Sequence, residues 1–150
     1  MSPRNKLKNI TEDDIERFSL KGLKTTAKVI MVSDGQTLDL VFAHHEELLR
    51  YKCRLVNTVS PPGIKHKSGK IVRNLLALLS TGKDFNNIKR KTVREITKAK
   101  IKRILKENKH LVEASFGSFD KYGRPYVTIK NPGGQCVNDI VDNFVNNLDE

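Results

Sequence analysis

The amino-acid sequence predicts an α+β protein of one domain: a five-stranded β-barrel with flanking helices and one inserted basic helix. Three observations carry that expectation. Apolar residues alternate with period two in five short stretches, three before residue 60 and two after residue 110. Turn-forming residues separate neighbouring stretches, at Ser33-Asp34-Gly35-Gln36, His44-His45-Glu46-Glu47 and Asp120-Lys121-Tyr122-Gly123-Arg124. Between the third and fourth stretches the apolar period becomes helical. Five strands with a helix between the third and fourth is the order of an OB-type barrel. The 150 residues are 37% hydrophobic, enough for one modest core.

Residues 1–9 read as a loose basic arm. Thr11 then offers an N-cap, Glu12, Asp13 and Asp14 suit the positive end of a helix, and Ile10 can staple onto Ile15. A helix is expected from there to about Leu20, stopped near Gly22. Residues 26–32, 37–42 and 48–59 read as three strands of an antiparallel meander. Ser60-Pro61-Pro62-Gly63 breaks the sheet, and residues 63–70 form a basic loop. Ile71, Val72, Leu75, Leu76, Leu78 and Leu79 fall on helical spacing, ended by Gly82. A second helix is expected over about 92–108, with Val93, Ile96, Ile101, Ile104 and Leu105 on its apolar face. Lys100 interrupts that face and would snorkel. Residues 111–119 and 125–129 return to strand. Val137, Ile140, Val141, Phe144, Val145 and Leu148 mark a closing helix. The chain thus divides into an arm and helix over 1–24 and a barrel domain over 25–150, with a basic helical insertion at about 83–109.

Charge is concentrated rather than spread. The net charge is +11, yet residues 65–110 hold 15 Lys or Arg against 3 Asp or Glu, so the remainder is close to neutral. Such a segment attracts polyanions by counterion release, and nucleic acid is the first candidate. Lys91, Lys98, Lys102, Lys106 and Lys109 gather opposite the apolar face of the second helix. A solvated helix face would look similar, but the acids that usually intersperse one are nearly absent here. Few aromatics are free for base stacking, with no Trp and 3 Tyr, so phosphate contact without sequence reading is expected.

Cys53 and Cys136 are the only cysteines, too few for a disulfide framework, which suggests a reducing, intracellular setting. The N-terminal residues lack the apolar stretch of a secretory signal, and no run is long enough to span a membrane. His44 and His45 would point to opposite faces of a strand, poor geometry for a chelate, and fit an exposed hairpin tip.

Three stretches, in order, resemble the staphylococcal-nuclease (thermonuclease) family. Val32-Ser33-Asp34-Gly35-Gln36-Thr37-Leu38 is similar to that family's hydrophobic-x-D-G-D-T-hydrophobic turn. Arg54-Leu55-Val56 with Val59-Ser60-Pro61-Pro62 resembles R-L-x-x-x-D-[ST]-P-E. Asp120-Lys121-Tyr122-Gly123-Arg124 and Val137-Asn138-Asp139 resemble the D-K-Y-G-R turn and the start of the following helix. The similarity spans about residues 25–148 and looks most like the divergent members carried by large DNA viruses, which would admit association with a virion.

The resemblance implies phosphodiester hydrolysis with one Ca²⁺ held by two aspartates and a backbone carbonyl, a glutamate acting on the attacking water, and two arginines on the phosphate. Carried across, the arginines are Arg54 and Arg124, with Lys121 and Tyr122 beside the second. Asp34 survives as a supporting acid and a weak metal candidate. Gln36 stands where the first metal aspartate belongs, Val59 where the second does, and Pro62 where the glutamate does. The expectation is therefore a nucleic-acid-binding domain of this fold that has lost cutting and needs no cofactor. The alternatives are an active Ca²⁺-dependent endonuclease, or an interaction protein whose basic face meets acidic protein. No membrane partner is expected.

Overall fold

The computed structural model describes residues 3–148. Five strands close into a barrel: β1 (Lys24–Val32), β2 (Thr37–His44), β3 (Glu47–Leu55), β4 (Val112–Phe119) and β5 (Pro125–Lys130), in the order β1-β2-β3-β5-β4. All pairs are antiparallel except β3 with β5, where Arg54 faces Tyr126 and Leu55 faces Val127. Helices α1 (Pro3–Asn9), α2 (Lys67–Ser80), α3 (Arg90–Glu95), α4 (Lys98–Glu107) and α5 (Val137–Asn146) flank it. The α+β class, the five strands and the helix between β3 and β4 agree with the sequence expectation.

The strands form because their alternation has a wet face and a dry face. Along β3, Tyr51, Cys53 and Leu55 turn inward while Arg50, Lys52 and Arg54 turn outward. The β2–β3 hairpin turns on His45 and Glu46, both at positive φ (50° and 69°), the double left-handed geometry of a tight two-residue turn. Inside, Leu38, Leu40, Val29, Val127 and Ile129 are fully buried. Phe42 stacks within 4.7 Å of Phe116 and 6.2 Å of Tyr51, filling one end.

α2 is the centre of the helical layer. Every residue from Val72 to Ser80 is buried, because the helix packs against β1 on one side and α3, α4 and α5 on others. A helix apolar nearly all round is a buried helix. It begins at Lys67, four residues before the apolar spacing starts. At its first turn the Pro62 and Gly63 carbonyls lie so close to Gly69 that a side chain there would overlap them.

The structure corrects four boundaries. The loose arm is helical over Pro3–Asn9. The expected helix from Thr11 to Leu20 is only a 3-10 turn over Glu12–Asp14. There Asp14 accepts from the Thr11 backbone N–H at 2.9 Å, and Ile10 and Ile15 stay exposed. The chain beyond is pulled straight because Leu20 enters the core and two hydrogen bonds tie it to β4: Gly22 N–H to the Phe116 carbonyl, and Phe116 N–H to the Leu23 carbonyl, both 2.9 Å. Gly22 makes that corner at φ 88°. β3 ends at Leu55, short of Val59, where Asn57 takes a left-handed φ of 58°.

The single helix expected over 92–108 is two. Asn74, buried on α2, donates through Nδ2 to the carbonyls of Val93 (2.8 Å) and Ile96 (3.4 Å). A continuous helix would give those carbonyls to the N–H groups of Thr97 and Lys100. Thr97 instead caps α4, its hydroxyl accepting from the Lys100 N–H at 3.2 Å. The cost to the fold is a buried guanidinium: Arg73 bonds to Asn74 Oδ1 at 3.0 Å, and burial pushes its pKa below the usual value.

Candidate nucleic-acid interface

The β1–β2 turn is the first part of the site. Asp34 Oδ1 accepts from the Gln36 N–H at 2.8 Å, an Asx turn that closes the corner. Gly35 has no room for a side chain, since a Cβ would overlap Val72 on α2. The turn is therefore clamped to the buried helix and aims Gln36 outward. Gln36 Oε1 accepts from Arg54 Nη2 at 2.7 Å, and its Nε2 donates to the Thr58 hydroxyl at 3.1 Å. Arg54 Nε is buried and has no acceptor among the described residues.

The second part is the β4–β5 turn. β5 runs parallel to β3 with Tyr126 opposite Arg54, and Arg124 ends the turn just before β5, two residues ahead of Tyr126. Asp120 organises it. Its Oδ1 accepts from the N–H groups of Tyr122 and Arg124, both at 2.9 Å, and its Oδ2 from Arg124 Nε at 2.8 Å. Burial works against that charge, but these donors and the guanidinium outweigh it and hold the carboxyl below its usual range. Tyr122 is 70% exposed, with Lys121 Nζ and Arg124 Cζ each 5.1 Å from its ring centre.

Val59 and Pro62 follow Thr58 and Pro61, which adjoin Gln36 and Gly35, but neither the Val59 nor the Pro62 side chain carries a polar atom. Val59 is exposed, and its N–H is held by Asp142 of α5 at 2.7 Å. Pro62 borders a groove on the far side of α2. Asp39 is buried on β2 and pairs through Oδ2 with Arg50 at 2.8 Å. It also adds to the burial that pushes the Cys53 thiol up to about 12. Among the described residues no three His, Cys, Asp or Glu side chains gather as a metal site. Asn138 has an architectural task. It accepts from the Ile129 N–H (3.0 Å) and donates to the carbonyls of Val56 (3.0 Å) and Val127 (2.9 Å), pinning α5 across β3 and β5.

Lys91 lies on α3, Lys98, Lys102 and Lys106 on α4, and Lys109 just beyond it. All are exposed, and none forms an ion pair among the described residues. α4 is held down by buried Ile101 and Leu105 against α2 and β1. β1 is two strands from β3 in the ring, so the lysine face and the arginine pair do not form one patch. Residue-by-residue reading missed Arg50 and Lys52. With Arg54 they form a cationic row along the outside of β3, and their period-two spacing was the available signal.

The closed five-stranded barrel and its flanking helices are consistent with an OB-like barrel. No protein-family model matches the chain, and no curated protein is significantly similar to it. Among the described residues, no helix is long and apolar enough to cross a membrane, and both cysteines are free.

Proposed function

We propose that this protein binds nucleic acid through its phosphates, in the manner of a staphylococcal-nuclease-like domain that no longer cuts. The observation that carries the reading is the Gln36–Arg54 contact. Where the resembled family has a metal aspartate, a neutral amide holds the phosphate-gripping arginine and leaves its Nε without an acceptor. An anionic phosphate oxygen would supply that acceptor once the guanidinium turns from Gln36 and uncovers Nε, and an unpaired donor gains from finding one. Arg124 and Lys121 extend the grip from the turn before β5, and exposed Tyr122 offers one ring beside them.

The residues present do not suit a calcium ion. Asp34 is the one carboxylate at the turn, and one of its oxygens accepts from the Gln36 N–H; Gln36 is neutral, and Val59 and Pro62 carry no side-chain oxygen. Calcium affinity follows the number of charged oxygen ligands. Losing a general base by itself costs about 10²–10⁴ in rate. The lysines of α3 and α4 add long-range, sequence-independent attraction from a second side of the molecule.

The test is a fluorescent single-stranded oligonucleotide incubated with the purified chain, with and without Ca²⁺, beside Arg124→Ala. Salt-sensitive binding without cutting is the expected result. Calcium-stimulated cleavage that disappears in Arg124→Ala would replace this reading with an active nuclease. Absence of binding at physiological salt would leave an interaction protein.

A further inference from the structure

We infer that the groove between α2, α3 and α5 docks an acidic peptide segment of another protein, anchored by large apolar side chains. The groove encloses about 1130 Å³. Ile71, Leu75, Ile88, Val93, Phe144 and Leu148 line it, and Phe85 stands at its lip, 38% exposed. Lys67, Arg90 and Arg94 also line it; no carboxylate does, and none of these cations is in an ion pair among the described residues. It shares no residue with the β3 face and its two turns, and of α3 it takes Arg90, Val93 and Arg94 rather than Lys91.

Three features select the occupant. Five aliphatic side chains and two phenylalanines share the lining with polar and cationic ones, which suits Leu, Ile or Phe anchors laid along a groove as an amphipathic helix lays them. Its volume is at the upper end of the roughly 300–1,000 Å³ of ordinary small-molecule pockets. Among the described residues no carboxylate pairs with the cations beside that apolar surface, so carboxylates flanking the anchors are attracted and basic flanks repelled. A phosphate chain matches the charge but would leave the aliphatic surface uncovered. The groove is also preformed. Asn74 fixes the end of α3, and Gln135 Oε1 holds the Phe85 N–H at 3.1 Å and accepts from Asn131 Nδ2. Less ordering is then required of the protein when a peptide arrives.

The experiment pans a random 16-residue peptide display library over the full chain, then measures the strongest synthetic peptide by fluorescence anisotropy. The expected product is a net-acidic peptide with two or three large apolar residues at helical spacing. Its affinity should fall at least tenfold in Phe85→Asp and in the exposed double variant Arg90→Glu with Arg94→Glu. Both variants should melt as the parent does, and Phe85→Asp should bind oligonucleotide unchanged. Enriched peptides without acidic excess, no enrichment, or affinity that survives both variants would overturn the proposal. So would an oligonucleotide that crosslinks to Phe144, which would make nucleic acid the occupant.

Discussion

The outer face of β3 and the exposed face of α3 and α4 are both cationic, but they are built differently. Arg54 and Arg124 sit half-buried, each held by a hydrogen bond under 3 Å to a partner fixed by its own turn. The helix lysines stand in solvent with no ion pair among the described residues. The first arrangement fixes the direction of the donor fork; the second fixes only the average position of a charge. Planar guanidinium forks recognise phosphate geometry, whereas mobile ammonium groups chiefly supply counterion release. One molecule thus separates orientation from attraction, and the two can be removed one at a time.

The largest effect should come from the attracting side. Replacing Lys91, Lys98, Lys102, Lys106 and Lys109 together by Gln should shrink the salt dependence of single-strand binding by roughly 3 to 4 in log–log slope if each meets one phosphate. Affinity at low salt should fall by orders of magnitude while the melting temperature scarcely moves, because these side chains are exposed and form no ion pair among the described residues. Titrations at several salt concentrations measure it. An unchanged slope would mean that nucleic acid never touches this face.

Next is the turn that aims Gln36. Gly35→Ala drives a methyl group into Val72 and Pro61, and overpacking of this kind costs about 1–3 kcal/mol. Chemical denaturation should register that loss, and oligonucleotide affinity should drop with it because the Arg54 fork loses its anchor. A stable variant with intact binding would show that the turn is not clamped to α2.

A smaller and more discriminating effect is expected from swapping cations without changing charge. Arg124→Lys keeps the charge but loses the fork, so affinity should fall about tenfold, near 1.4 kcal/mol, with the salt slope unchanged. Lys102→Arg on α4 should change little. Equal responses at the two positions would erase the distinction between the faces.

This difference also marks what the sequence could disclose. The five strands, the Asp34-Gly35 and Asp120–Arg124 turns and the apolar spacing of α5 were legible because local period and turn chemistry decide them. The break between α3 and α4 was not, since it depends on Asn74, some 20 residues earlier, taking two carbonyls from the helix. The extended run after Asp14 was hidden for the same reason. Its acids and Thr11 satisfy every local rule for a helix, and only the pairing of residues 22 and 23 with Phe116 overrides them. At the site, the sequence suggested only a resemblance, with Gln36, Val59 and Pro62 as the residues to look at. It could not tell that Gln36 would grasp Arg54, nor that Asp142 would reach back to hold Val59.

The smallest effect is a titration, and it tests whether the Arg124 fork is pinned as described. Asp120 accepts three hydrogen bonds as an anion, and its carboxyl sits below the ordinary 3.8. A group whose pKa is depressed by folding binds its proton less readily in the folded chain than in the unfolded one. Its contribution to stability is therefore complete above about pH 4 and is lost as the pH falls through the folded value. Carbon-detected NMR of the Asp120 carboxyl should give a midpoint below 3.8. Asp120→Asn keeps one acceptor oxygen but no charge, so it should flatten the acid limb of the stability curve and loosen Arg124 at neutral pH. An ordinary midpoint would mean that Arg124 swings free, and the β3 face would then attract phosphate no differently from the lysine face.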